Sequence, residues 1–106
     1  MLLSTVGVKT FAHDIEVKND DGVTIYYNFI NNNTELEVTY YGDSYFNETN
    51  RYIGNVDIPV SVTYGGQEYN VTSISNYAFS LCTDLMSVTI PNSINRIDNY
   101  AFCDCI

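Results

Sequence analysis

The last third of the chain contains a repeated segment: residues 74–82 read ISNYAFSLC, and residues 97–105 read IDNYAFCDC. The offset between equivalent positions is constant at 23 residues, for example from Ile74 to Ile97. Fixed apolar positions that return every 20–29 residues or so are typical of a leucine-rich-repeat solenoid, in which about three or more stacked coils share one core. The repeat therefore predicts a mainly β fold with a short leucine-rich-repeat solenoid, whose coils combine strands with short helical turns.

The second copy and the strand before it match a known pattern. Residues 85–105 read LMSVTIPNSINRIDNYAFCDC, which resembles the BspA-type leucine-rich repeat L-x-x-V-x-I-P-x-S-V-x-x-I-G-x-x-A-F-x-x-C. Ile94 replaces the usual Val and Asp98 the usual Gly, and the resemblance directly covers residues 72–106. It implies a secreted or cell-surface bacterial protein that acts in adhesion or protein–protein contact.

A weaker copy of the pattern lies upstream. Residues 53–62 align with residues 85–94 at an offset of 32, which exceeds the period of 23 by the length of residues 63–71. Paired glycines in that extra segment supply the positive φ that a two-residue hairpin turn needs. We therefore predict incomplete leucine-rich-repeat coils over residues 52–106, with a β-hairpin insertion at 63–71 that projects from the first coil.

Residues 13–51 have a different organisation. Alternating polar and apolar residues over 14–18, 23–30 and 35–40 predict three strands, which are separated by turn-forming Asn, Asp and Gly residues. We predict an antiparallel β meander that forms an N-terminal β cap over 13–51 and covers the exposed end of the first coil. Both faces of the second strand are largely apolar, so the sequence does not indicate which one is buried.

Composition and the N-terminus bear on localisation and partners. The chain of 106 residues carries a net charge of −9, which argues against nucleic acid as a partner and against a polybasic membrane attachment. Residues 1–12 form a short apolar segment in which Thr10 and Ala12 occupy the −3 and −1 positions of a signal-peptidase site before His13. We interpret this segment as a signal peptide remnant, with an ordinary first β-strand as the alternative. We predict a secreted or cell-surface protein without membrane insertion.

Residues that could carry chemistry are few. His13 is the only histidine, and a flexible mature N-terminus would not hold it in the geometry of a general base. Asp20 and Asp21 are better explained as turn formers than as glycosidase carboxylates. Cys103 and Cys105 lack the Cys-x-x-Cys spacing of a zinc site. We predict no enzyme activity, no catalytic residue, no cofactor and no metal site.

Two cysteines occupy equivalent positions in the repeat. Cys82 and Cys105 are 23 residues apart, and neighbouring coils about 4.8 Å apart would allow a disulfide. A small side chain at a repeated inward position is more often a packing residue, which is the interpretation we favour. Cys103 is the odd thiol. Three Asn-x-Ser/Thr sequons would be glycosylation candidates in a eukaryote and are incidental in a bacterial protein; they begin at Asn32, Asn47 and Asn70.

The sequence leaves three functions open, and it does not identify a ligand. The first is an exported non-catalytic leucine-rich-repeat protein that mediates protein–protein or cell-surface adhesion contacts with a host or neighbouring cell. The second is a carbohydrate-binding accessory module that uses the tyrosine-rich cap and hairpin. Contact and packing roles are equally plausible for Tyr64 and Tyr69 of the hairpin, whereas packing is favoured for the other tyrosines. The third is a non-functional fragment of a longer repeat protein. The outward strand residues are expected to be Gly54, Asn55 and Asp57 in one coil and Met86, Ser87 and Thr89 in the next.

Overall fold

The structure, a computed structural model, describes residues 13–41 and 51–105. This part of the chain contains eight β-strands and no helix, so the predicted mainly β fold is confirmed. The segment interpreted as a signal peptide remnant and the sequon at Asn47 lie outside the described residues. The strands are β1 (Ile15–Lys18), β2 (Thr24–Ile30), β3 (Glu35–Thr39), β4 (Gly54–Asp57), β5 (Ser61–Tyr64), β6 (Gln67–Ile74), β7 (Leu85–Thr89) and β8 (Arg96–Ile97).

The first three strands form an antiparallel meander. Tyr27 in the central strand β2 lies opposite Ile15 of β1 and Val38 of β3. β3 then pairs in parallel with β6, so that Val38 lies beside Ile74. The meander and the strands that follow it are therefore parts of one hydrogen-bonded sheet, in the order β1-β2-β3-β6-β5, with β8 also paired to β6.

Strand β6 takes part in two substructures. Its first half forms a hairpin with β5 across the turn at Gly65 and Gly66, whose φ angles of 60° and 83° require glycine-like freedom. Its last residues pair in parallel with β8, where Ile74 lies beside Ile97. The sequence predicts an insertion at 63–71 that projects from the coil. In the structure, the same strand continues into the main sheet, because β3 pairs with its other edge.

The second sheet consists of β4 and β7, which run parallel. Val56 lies beside Val88, and the register shifts between Gly54 and Asn55. Gly54 pairs with Leu85 and Asn55 with Ser87, so one residue of β7, Met86, is additional at the shift. The strands of the upstream copy and of the next copy are therefore neighbours in space, as stacked repeats require.

The turns after β6 and β8 are not helical, which corrects the predicted short helical turns. Their hydrogen bonds span three residues, as from Ala78 N to Ser75 O at 3.2 Å and from Cys82 N to Phe79 O at 3.2 Å. Tyr77 has a φ of 62°, in the left-handed region, and its equivalent Tyr100 has the same value. Left-handed residues within each turn stop the backbone from propagating as an α-helix.

Equivalent positions of the two copies stack on each other. The Phe79 and Phe102 rings are nearly parallel, at 3° and with centroids 5.1 Å apart. The backbone is joined in the same place, because Phe79 N donates to Ala101 O at 2.8 Å and Leu81 N donates to Cys103 O at 2.9 Å. The copies found in the sequence are thus adjacent layers in space.

One hydrophobic core joins the meander to the repeat region. Ile25 and Tyr27 on one face of β2 are almost completely buried, and Tyr26 on the opposite face is also buried, at 7% exposure, so the first half of β2 is buried on both faces. Tyr52 links the two parts: its hydroxyl donates to Thr39 O at 2.7 Å, and its ring lies 4.6 Å from that of Phe79. Other core residues with almost no exposed surface are Leu36, Val38, Val56, Ile58, Val71, Ile74 and Ala78.

Candidate interaction surfaces

The outward residues of β4 and β7 form the first candidate surface, which we call the strand face. In β4 the buried Val56 alternates with exposed neighbours, whereas in β7 the register shift leaves the consecutive residues Met86 and Ser87 both exposed. The Ser87 hydroxyl donates to the Asn55 side-chain oxygen at 2.8 Å, which joins the two strands on the outside. Gly54, also predicted to face outward, is half-buried. The strand face comprises Asn55, Asp57, Met86, Ser87 and Thr89, all of them exposed as predicted.

Two large apolar residues stand out on this side of the molecule. Met86 is 79% exposed and Ile53 is 65% exposed. They flank the Gly54–Leu85 pair, where the register shift leaves Met86 without an opposite residue. Single exposed apolar residues are common on protein surfaces, but a Met beside hydrogen-bonded polar groups gives an adaptable contact point.

The second candidate surface is the hairpin aromatic group, which consists of Phe29, Tyr64 and Tyr69. The Phe29 ring lies 5.2 Å from that of Tyr69 and 6.4 Å from that of Tyr64, both edge to face. Tyr64 is 45% exposed, whereas Tyr69 is partly buried against the core. Of the two tyrosines singled out in the sequence, Tyr64 is exposed to solvent, whereas Tyr69 packs against Phe29 and the core.

The packing role favoured for the repeat tyrosines holds only in part. Tyr77 is half-buried, but Tyr100 is 61% exposed. The two rings stack at 8° with centroids 5.4 Å apart. Tyr100 is therefore a surface residue whose ring stacks on that of Tyr77.

The His13 side chain is packed against neighbouring residues, whereas the sequence suggested a position without fixed contacts. Its side chain is 8% exposed and packs 5.1 Å from the Tyr26 ring and 5.2 Å from the Tyr41 ring. Its Nε2 lies 3.2 Å from a carboxylate oxygen of Glu16. Mobility is thus no argument against a functional histidine. The local sequence did not indicate this, because Tyr41 reaches His13 only through the tertiary fold.

The three cysteines are free thiols. Cys82 is buried, which raises the pKa of its thiol to about 11, and Cys105 is partly buried beside it. The Cys105 thiol donates a hydrogen bond to the carbonyl oxygen of Phe79 in the neighbouring copy. These contacts agree with a packing role for the repeated cysteine. Cys103 points away from this contact, toward the Asp104 carboxylate.

The acidic turn between β1 and β2 is built by Asn19. Its side-chain oxygen accepts hydrogen bonds from the backbone N–H groups of Asp21 and Val23, both at 2.9 Å. Asp20 and Asp21 are exposed, and Gly22 takes a φ of 80°. In the described residues, no group of three or more His, Cys, Asp or Glu side chains could hold a metal ion.

One buried polar row was not recognised in the sequence. Glu37 of β3 accepts a hydrogen bond from Asn28 of β2 at 3.3 Å and pairs with Ser73 of β6. Burial raises the pKa of Glu37, an effect that the Asn28 bond partly offsets. The Ser73 hydroxyl and the Asn28 side-chain oxygen have no hydrogen-bond partner within the described part of the chain. Alternation in β3 marks Glu37 as outward, and only the parallel pairing with β6 explains its burial.

Repeated layers with parallel strands on one side and stacked turns on the other define the class of leucine-rich-repeat proteins. Residues 67–106 match the family model described as BspA type Leucine rich repeat region (6 copies). These residues are therefore similar to a BspA-type leucine-rich repeat region, and the resemblance found in the sequence is confirmed. No curated protein matches the chain.

A solved structure extends the similarity to most of the chain. It is the crystal structure of a leucine-rich repeat protein from Bacteroides ovatus, with 31% sequence identity and a TM-score of 0.62. The alignment covers 76% of this chain and 20% of that chain, so the present chain corresponds to about a fifth of its relative's length. Neither comparison points to a catalytic family. Within residues 13–41 and 51–105, no helix is long and apolar enough to cross a membrane.

Proposed function

We propose that this chain is an exported, non-catalytic leucine-rich-repeat module that contacts a protein on a host or neighbouring cell surface. In this proposal, β4 with β7 and β6 with β8 belong to successive coils of a solenoid, and the meander caps the first coil. The observation that carries the proposal is the strand face, where two parallel strands from successive copies present five exposed side chains side by side. Leucine-rich repeats bind proteins through such stacked surfaces.

Met86 is the expected centre of the contact. It is the most exposed of the large apolar residues and lies next to Ser87, whose hydroxyl is held by Asn55. A preorganised polar pair beside an apolar side chain lowers the cost of ordering the surface on binding. Interfaces concentrate their binding energy in a few such central residues.

Cell binding tests this assignment. Fluorescently labelled protein is incubated with epithelial cells and with bacteria, and bound fluorescence is compared between Met86→Asp and Val60→Asp. Val60 is 56% exposed and lies outside the strand face, so it provides the same chemical change as a matched control. We expect Met86→Asp to reduce binding at least about tenfold, as for a central interface residue, and Val60→Asp to leave it unchanged. Equal effects of the two variants, or no binding to either cell type, would contradict the proposal.

Export has a separate test. The intact mass of the native protein is measured in the surface and medium fractions of its source cells. A product whose N-terminus is His13, present in those fractions, is the expected result. A product that retains residues 1–12 and stays inside the cell would contradict export.

Carbohydrate binding is the second candidate, and the exposed ring of Tyr64 favours it. Aromatic faces pack against the C–H faces of sugars, and the Phe29 ring lies edge to face with the Tyr64 ring. Titration of oligosaccharides against Tyr64→Ala and Tyr69→Ala variants tests the candidate. Binding that is unchanged in both variants would remove the hairpin aromatic group from consideration.

The third alternative, a fragment without independent function, is tested by thermal unfolding. A cooperative transition of the monomeric chain is expected if the described strands form one unit with a shared core. A broad, non-cooperative transition would support the alternative.

A further inference from the structure

A cleft of about 240 Å³ lies between the meander and the first repeat copy. One wall is the end of β1 with the turn that follows it, and the other is the segment from Asp57 to Thr63. The Asn19 side chain donates to the Asp57 backbone oxygen at 3.0 Å and ties the two walls together. The cleft is therefore a fixed feature of the fold, created where distant parts of the chain meet.

Tyr27 of β2 also lines this cleft. The residue is 1% exposed, so the little surface that it keeps faces this space. Burial alone raises the pKa of its phenol, and no hydrogen bond to the hydroxyl contributes. A phenol that lines a cleft can exchange a hydrogen bond with a ligand hydroxyl there.

The remaining lining combines several hydrogen-bonding groups with apolar surface. Lys18 supplies a donor, Asp20 and Asp57 supply carboxylate acceptors, and Ser61 and Thr63 can act as both. A few polar groups that converge on a partly apolar, concave site are what small-ligand pockets have in common. Ligands with many hydroxyl groups and apolar C–H faces match this lining.

The position of the hairpin aromatic group extends the site. Phe29 lies two residues after Tyr27 on the same face of β2, and Tyr64 lies two residues after Val62, which lines the cleft. A ligand longer than one sugar unit could therefore occupy the cleft and place its next unit against the Tyr64 ring. The cleft is smaller than the 300–1,000 Å³ or so of sites for drug-sized molecules, which suits a single monosaccharide unit.

We propose that this cleft binds one unit of a neutral hexose oligosaccharide, with the Tyr27 hydroxyl hydrogen-bonded to a sugar hydroxyl. The inference rests on the carbohydrate-binding candidate and is independent of the strand face. Neutral sugars are favoured over uronic acids because two carboxylates line the cleft and the chain carries a net charge of −9.

The test uses the full chain and NMR-monitored titration with cellotetraose, maltotetraose and mannotetraose, with trigalacturonate as the acidic comparison. The key variant is Tyr27→Phe, which removes the hydroxyl and keeps the ring. Its matched control is Tyr26→Phe, on the opposite face of the same strand. We expect at least one neutral tetrasaccharide to bind, Tyr27→Phe to weaken it about tenfold, as for one lost hydrogen bond, and Tyr26→Phe to have little effect. Thermal unfolding of each variant establishes that it is folded.

Two results would overturn the inference in different ways. Absence of binding by all three neutral tetrasaccharides at about 10 mM, well above a millimolar dissociation constant, excludes the cleft as a hexose site. Binding that Tyr64→Ala abolishes and Tyr27→Phe leaves intact excludes the cleft and retains the hairpin aromatic group as the sugar contact. Neither result bears on protein binding by the strand face, which the Met86→Asp variant tests separately.

Discussion

At the scale of single residues, two buried tyrosines have opposite surroundings. The Tyr52 hydroxyl donates to Thr39 O at 2.7 Å and accepts from Tyr26 N at 3.0 Å. The phenol of Tyr27 is also buried, but no hydrogen bond affects its pKa. The Tyr52 hydroxyl thus holds the meander to the repeat region, whereas the Tyr27 hydroxyl makes no such link.

Replacing each tyrosine by phenylalanine tests this difference. Tyr52→Phe should lower the free energy of unfolding by about 1–3 kcal/mol, because it leaves a buried backbone N–H without its partner. Tyr27→Phe should change the free energy of unfolding by less than about 1 kcal/mol, because it keeps the packed ring and removes no hydrogen bond that joins two parts of the chain. Urea-induced unfolding of both variants measures the effects. A clear loss of stability in Tyr27→Phe would show that its hydroxyl has a partner in the folded protein.

Glu37 makes stability depend on pH in an unusual direction for a carboxylate. Burial raises its pKa above the ordinary value of 4.5, so the folded state favours the protonated form. The contribution of this residue is therefore most favourable at pH values below 4.5 and is lost as the pH rises through the raised pKa. Glu37→Gln keeps an acceptor for the Asn28 amide and removes the charge. We expect the variant to gain stability relative to the natural chain as the pH rises through that range.

Thermal unfolding at a series of pH values measures the difference. The exposed carboxylate of Glu68 provides the control, since Glu68→Gln should show no such trend. A difference between Glu37→Gln and the natural chain that stays constant with pH would contradict a raised pKa at Glu37.

At the scale of elements, the two turns of the repeat differ in how far neighbouring side chains bury their phenylalanine. Phe79 is fully buried between the rings of Tyr52 and Phe102, whereas Phe102 has a neighbouring ring only on the Phe79 side and is partly exposed. The turns have the same backbone and nearly the same sequence. The contributions of Phe79 and Phe102 to the free energy of unfolding should therefore differ only because the two side chains are packed differently.

Alanine substitution in each turn tests this. Phe79→Ala should cost about 3–5 kcal/mol of unfolding free energy, because it opens a cavity in the core. Phe102→Ala should cost much less. Denaturant unfolding of the two variants gives the comparison, and equal losses would show that a partner or a second copy covers Phe102 in solution.

The strands and turns show which structural features can be predicted from local sequence patterns. Alternation located the three strands of the meander, and the Gly65–Gly66 pair located the hairpin, because both signals are local. The helical prediction for the turns was wrong. Short apolar turns with left-handed residues such as Tyr77 have no clear signal in sequence, since tyrosine seldom adopts a positive φ.

At the scale of the whole molecule, charge opposes compaction. The chain has 13 acidic and 4 basic residues. Folding brings the excess negative charges closer together, which increases the repulsion between them. We expect the midpoint of thermal unfolding to rise between about 10 and 150 mM sodium chloride, because salt screens this repulsion over roughly a Debye length. A midpoint that falls with salt would show instead that attractive ion pairs, such as Arg96 with Asp98, outweigh the repulsion.

The sequence by itself determined the repeat period, the mainly β character and the outward positions of β4 and β7, since these depend on spacing along the chain. Only the tertiary structure decided that β6 joins the meander to the repeat, that the His13 side chain is packed and Glu37 half-buried, and that Tyr27 lines a cleft. The physical reason is that the partner of a strand edge and the surroundings of a side-chain tip come from residues distant in sequence. Local periodicity indicates which side of a strand is apolar, but it does not indicate what lies against that side.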